Sequence, residues 1–180
     1  MLRIDQDAIA VEDHQLEGDL HPRSLAALDG TANISDVETE HLEQRRTVAD
    51  LLDDARTALD RLTPDEASSA LERGAVLVDT RCQDQRLAAG IIPGSIHVPL
   101  SVLPWRADPS SDHGDDRLAD LDALMILLCA HGYSSSLAAV TLRQLGFHRA
   151  TDVVGGFEAW AAAGLPVKAL VTAEDASPAS

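Results

Sequence analysis

Cys129 closes an apolar run and opens the stretch CAHGYSSS, residues 129–136, which leads into an alanine- and leucine-rich segment. A thiol between a strand end and a helix start is placed for nucleophilic chemistry, provided that it ionises. Gly132 can take backbone conformations closed to other residues. A loop as short as AHGY can turn successive N–H groups inward as a nest for negative charge. A helix beginning at Ser134 adds the positive end of its dipole. Both effects favour the thiolate. A lone cysteine can also serve as a small buried hydrophobe, and spacing alone leaves both uses open.

The elements that would carry this loop follow from the apolar patterning. AVLVD (75–79), SIHVP (95–99), LMILLC (124–129) and ATDVV (150–154) are short, β-branched or apolar runs that predict buried parallel strands. SSSLAAVTLRQL predicts a helix stopped at Gly146, and GGFEAWAAA one stopped at Gly164. Upstream, order begins near Thr47, where Val48, Leu51, Leu52, Ala55, Leu59 and Leu62 fall on one helical face. TPDE at 63–66 is a start signal: Thr63 caps, Pro64 suits the first turn, and Glu66 reaches back. That helix should end by Gly74. Strands alternating with helices imply an α/β fold with a parallel sheet covered on both faces. Ligands of such sheets bind beyond the carboxyl ends of the strands, where Cys129 stands. Residues 105–120, WRADPSSDHGDDRLAD, predict a long polar surface connection.

Composition narrows the function. The 180 residues carry 14 Lys and Arg against 30 Asp and Glu, a formal charge of −16. This argues against nucleic acid or an anionic membrane as partner. No run of about 18 apolar residues offers a membrane span, and the acidic start MLRIDQDAIAVEDH lacks the features of a signal peptide. The expected compartment is the cytoplasm, where two cysteines are expected as free thiols. No paired Cys/His spacing suggests zinc, so no metal is expected. Residues 1–44 hold eleven acidic and two basic side chains and no sustained apolar period. They are expected to form an acidic, weakly ordered extension, which could serve a protein partner. The folded domain is expected over 45–168, with a tail over 169–180.

Four stretches resemble the rhodanese family of single-domain sulfurtransferases, in the family's order. VLVDTR (76–81) resembles its strand ending in Asp-x-Arg. GIIPGSIHVPL (90–100) resembles its Gly-x-Ile-x-Gly-Ala-x-x-x-Pro stretch, with Ser95 for the usual alanine. CAHGYS (129–134) resembles the active-site loop, and GGFEAWAAAGLPV (155–167) the closing helix. With GYSSS after the cysteine, the resemblance is closest to rhodanese-like proteins of high-GC bacteria. It implies a rhodanese-like α/β fold of about five parallel strands, with no metal or organic cofactor. It also implies a two-step transfer in which Cys129 takes sulfane sulfur from a donor and passes it to a thiol or cyanide. Backbone N–H groups of Ala130, His131, Gly132, Tyr133, Ser134 and Ser135 would hold the persulfide, and Asp79 and Arg81 would support the site.

The departures from the family are equally specific. Many family loops carry Arg or Lys, whereas this one has Ala130, His131 and Ser134. A less positive rim binds a dianion less well, so weak activity on thiosulfate is expected. His131 could tune the rim near neutral pH, and Arg106 could lean over the pocket to restore charge. Cys82 could resolve an oxidised Cys129 or accept its sulfur. Phosphatases of the related cell-cycle type carry arginine six positions after the cysteine; here that position is Ser135, which offers a phosphate no guanidinium. The remaining rival is a non-catalytic rhodanese-like module that binds a partner or senses redox state.

Overall fold

The computed structural model describes residues 45–170. The expected acidic extension and almost all of the expected tail lie outside them.

Two helices open the domain, and both start as their capping residues require. Helix α1 (Val48–Ala58) begins at Thr47, whose hydroxyl accepts from the Asp50 N–H while Asp50 accepts from the Thr47 N–H. Helix α2 (Pro64–Glu72) begins at Thr63 with the same reciprocal pair to Glu66 and with Pro64 in the first turn. Each device satisfies N–H groups that the first turn leaves without partners. Of the apolar face expected on α1, only Ala55 and the following Leu59 are buried; Val48 and Leu51 are exposed.

Four parallel strands follow, β1 (Val76–Asp79), β2 (Ile96–His97), β3 (Met125–Leu128) and β4 (Thr151–Asp152), in the order β2-β1-β3-β4. Every predicted strand is present but shorter, because the flanking residues turn into loops. Among the described residues the sheet has four strands where about five were expected. Beyond β4 the pairing continues, among the described residues, as a single bridge of Leu62 to Val153 in parallel.

Central β3 pairs with β1 from Val76 opposite Met125 to Asp79 opposite Leu128. Its residues are buried on both faces and alternate between two cores. Met125 and Leu127 join Val78, Val98, Leu103, Leu142 and Phe147 on one side. Ile126 and Leu128 join Leu77, Ala67, Phe157 and Trp160 on the other. Helix α5 (Ser134–Gln144) covers the first face; α2 and α6 (Gly156–Ala162) cover the second. A buried β3 strand therefore delivers the chain, without freedom of register, to the residue that follows Leu128, namely Cys129.

Residues 83–89, for which the sequence predicts no element, form a helix, α3 (Gln83–Ala89), with Cys82 at its N-cap. One segment differs from expectation. The connection over 105–120 is not wholly surface. It contains the end of α4 (Leu103–Ala107) and a 3-10 turn at Asp116–Leu118, and it places Ala107 and Leu118 in the core. Apolar residues isolated in a polar run carry too little periodicity to announce this.

Candidate active site

Cys129 lies one residue beyond β3, 7% exposed, and the loop returns at once into α5. The Gly132 N–H donates to Cys129 Sγ at 3.2 Å, and Ser135 Oγ stands 3.2 Å from the same sulfur. Gly132 has a φ of +71°, and an added Cβ would meet the Gly155 nitrogen at 2.7 Å. Only glycine fits this turn and this close approach.

Four of the five carbonyls from Cys129 to Tyr133 are tied by hydrogen bonds to other groups. Those of Cys129 and Ala130 accept the N–H groups of Phe157 and Glu158 at 2.9 and 3.1 Å, from the first turn of α6. That of Gly132 accepts from Arg56 Nη2 at 3.0 Å and Arg61 Nη2 at 3.2 Å. That of Tyr133 accepts the Ser136 N–H at 3.1 Å. A peptide's N–H points opposite to its C=O. Drawing the carbonyls outward therefore aims the N–H groups at the sulfur side, as an anion site needs.

The Cys129 thiol titrates at about 7 as a result. Burial pushes it up. Hydrogen bonds from the Ser135 and Ser134 hydroxyls and from the N–H groups of Ser135 and His131 more than offset that burial. A substantial fraction is thiolate at neutral pH.

A buried polar layer lies beneath the loop. Asp152, on β4, is fully buried and accepts from Ser135 Oγ at 3.0 Å, Ser136 Oγ at 2.8 Å, and Arg61 through Nε and Nη2 at 2.7 and 3.0 Å. Sequence reasoning missed Asp152, Ser136, Arg61 and Arg56. One signal was available for Asp152, a lone acid inside the apolar run ATDVV. An acid in a buried strand needs partners. The two arginines carried no signal, since they reach Gly132 across more than 70 residues of sequence.

Asp79 and Arg81 form a buried bidentate pair at 2.9 and 2.7 Å, and Arg86 adds a third contact to Asp79 at 3.2 Å. The Arg81 guanidinium also donates to the Gly90 carbonyl and lies 3.6 Å from the Phe157 ring centroid. Arg81 thus joins the β1 end, the α3 end and α6 into one wall, and Asp79 offsets part of the charge that Arg81 and Arg86 bring to it. A cavity of about 300 Å³ opens over the thiol, lined by Thr80, Arg81, Gln85, Leu100, Cys129 and the loop residues Ala130, His131, Tyr133 and Ser134.

Arg106 does not reach this cavity, contrary to expectation. Its guanidinium donates to Asp115 Oδ2 at 3.1 Å and to the His113 carbonyl at 2.9 Å, so it organises the 105–120 connection. The His131 imidazole turns to the Glu158 carboxylate at 2.9 Å, with both side chains exposed. Cys82 is an exposed free thiol and Cys129 a buried one, and Cys82 does not line the cavity.

Comparison with known proteins agrees with this arrangement. The family described as Rhodanese-like domain matches residues 63–163. The thiosulfate sulfurtransferase GlpE of Pseudomonas syringae pv. syringae is 38% identical over 104 residues, covering 58% of this chain and 89% of that enzyme. GlpE of Pseudomonas fluorescens SBW25 is 41% identical over 101 residues, covering 56% and 83%. Among solved structures, a protein of unknown function from Rhodopseudomonas palustris, described as a possible tyrosine phosphatase, superposes with a TM-score of 0.64 at 31% identity, covering 68% of this chain and 95% of that one. A thiosulfate sulfurtransferase from Pseudomonas aeruginosa superposes with a TM-score of 0.50 at 25% identity, covering 62% of this chain and 19% of that one.

Proposed function

The chain belongs to the rhodanese-like family, and from that premise we propose that it is a sulfurtransferase that carries sulfane sulfur as a persulfide on Cys129. The observation that carries this reading is the thiol at about 7, set in a loop whose Gly132 N–H meets the sulfur and whose carbonyls at Cys129, Ala130, Gly132 and Tyr133 are tied to other groups. In the first step the Cys129 thiolate attacks the donor's sulfane sulfur. The new S–S bond forms as the donor's own S–S bond breaks, and the leaving group takes the bonding pair: sulfite from thiosulfate, a thiolate from a thiol persulfide. In the second step an acceptor thiolate or cyanide attacks the outer sulfur, and Cys129 leaves as thiolate. Covalent catalysis divides one transfer into two easier ones. The inward N–H groups stabilise the negative sulfur in both states.

The preferred donor is a thiol persulfide rather than thiosulfate. The arginine lining the cavity, Arg81, shares the Asp79 carboxylate with Arg86, and His131 faces Glu158. A dianion entering the cavity therefore meets one partly offset arginine and no Arg or Lys from the loop itself. Phosphoryl transfer has weaker support, because position 135 is a serine whose hydroxyl contacts Asp152. The protein is expected to act in the cytoplasm on small sulfur donors and thiols.

The test is intact mass after incubating reduced protein with thiosulfate, and separately with glutathione persulfide, with Cys129→Ser as control. Gain of one sulfur atom on the wild type alone is expected, more completely with the persulfide. Equal or better loading by thiosulfate would overturn the donor preference. No gain with either donor in a folded protein would overturn the enzyme reading in favour of a binding or redox-sensing module.

A further inference from the structure

The loop's own side chains carry little positive charge toward the sulfur, yet a guanidinium stands directly behind it. Arg56, on α1, donates from Nη2 to the Gly132 carbonyl at 3.0 Å and lies 5.2 Å from the Tyr133 ring centroid. Its Nε is buried and, among the described residues, has no hydrogen-bond partner. Arg61 meets the same carbonyl at 3.2 Å, but Asp152 holds it bidentately. The two arginines therefore differ. Asp152 cancels the charge of Arg61, whereas Arg56 is held by a carbonyl and a ring and, among the described residues, faces no carboxylate.

Both arginines lie outside the family-matched residues 63–163. We propose that helix α1 is a working part of the active site, in which Arg56 is a positioning residue that fixes the Gly132–Tyr133 peptide and supplies the positive charge the loop lacks.

Two physical effects combine. Holding the Gly132 carbonyl outward turns the Tyr133 N–H to the opposite side of that peptide. The guanidinium stacked at the Tyr133 ring also fixes that side chain at the cavity mouth, which it lines. The charge sits on the far side of the loop from the cavity, one peptide from the N–H that contacts Sγ. It therefore favours a negative sulfur on Cys129, as thiolate or persulfide, more than it attracts a charged donor from solvent. The other charged groups around the loop are the Arg61–Asp152 pair below, the His131–Glu158 pair at the rim, and Arg81 of the cavity wall, which shares Asp79 with Arg86.

The inference deepens the persulfide reading and rests on it for its purpose, but its test needs no sulfur donor. In a Cys82→Ser background, the rate of Cys129 alkylation by iodoacetamide is followed from pH 5 to 9 for wild type, Arg56→Gln, Arg56→Lys and Arg56→Met, with thermal unfolding alongside. Arg56→Gln keeps a donor for the Gly132 carbonyl and removes the charge. Its profile is expected to move to higher pH, with alkylation at pH 6 slowed roughly three-fold or more, and Arg56→Lys should recover most of the loss. Profiles for Gln and Lys that both superpose on wild type, in folded proteins, would overturn the proposal. Equal losses in Gln and Lys would overturn the charge and leave only a structural contact. Should Arg56→Met fail to fold, the Gln and Lys pair still decides. Failure of persulfide loading with a normal Arg56 dependence would reject the enzyme reading alone.

Discussion

Ser135 Oγ lies 3.2 Å from Cys129 Sγ while donating its proton to Asp152 Oδ2 at 3.0 Å. One hydroxyl proton therefore has two candidate acceptors. With a neutral thiol, S–H donates to Ser135 Oγ and the hydroxyl donates to Asp152. Once the thiolate forms, the hydroxyl can turn to the sulfur, and Asp152 still keeps Ser136 and Arg61 as donors. Ionisation at Cys129 thus strands no buried group, which is the expensive alternative.

Ser135→Ala removes a donor to the thiolate and leaves the burial that opposes it. The pH midpoint of Cys129 alkylation is expected to rise above about 7, with reactivity at pH 6.5 lower by on the order of three- to ten-fold. A pH–rate profile in a Cys82→Ser background reads this. An unchanged midpoint would show that the backbone N–H groups and the Ser134 hydroxyl hold the thiolate without Ser135.

Folding stability should depend on pH through the same group. Cys129 falls from an ordinary 9.0 to about 7 on folding. A depressed value contributes stability fully above the unfolded value and loses it as pH falls through the folded one. Relative to Cys129→Ser, the wild type should gain about 2 kcal/mol between pH 7 and 9. Urea melts of both proteins at the two pH values measure the difference.

Asp152→Ala leaves the part-buried Arg61 without its carboxylate and removes the acceptor that the Ser135 and Ser136 hydroxyls share. A loss of about 3 kcal/mol or more is expected, visible as a lower Tm. Asp152→Asn keeps a carbonyl acceptor and should cost less. Equal Tm values for Asp152→Ala and wild type would contradict the buried network.

Gly156→Ala tests the packing behind the loop. Gly156 has a φ of +62°; its added Cβ would collide with the Cys129 carbonyl oxygen and come within 2.7 Å of the Gly132 nitrogen. Both are backbone atoms of the loop and cannot swing aside. A stability loss of about 2 kcal/mol or more is expected, and displacement of the loop should slow alkylation of Cys129 in whatever fraction remains folded.

Arg106→Ala should leave donor loading at Cys129 unchanged, because its partners are Asp115 and the His113 carbonyl. Its effect is expected on stability instead. Loading kinetics and a thermal melt separate the two outcomes.

Much of this protein was legible locally. Thr63, Pro64 and Glu66 mark a helix start because capping acts within one turn. LMILLC marks a buried strand because only a strand covered on both faces is apolar at every position. Cys129 with Gly132 marks a thiolate loop because a short turn before a helix concentrates N–H groups. Where the reading failed, the partners were remote. Arg106 was expected over the cavity to restore charge that the loop lacks, yet Asp115 draws it away. The chain by itself determined where the proposed nucleophile stands, the strand that carries it and the loop that surrounds it, since these rest on backbone geometry and on neighbours within a few residues. Only the tertiary structure decided which charges stand behind that loop. Arg56, Arg61 and Asp152 come from α1, the α1–α2 connection and β4, and electrostatic contact between them is a matter of distance in space that no local pattern records.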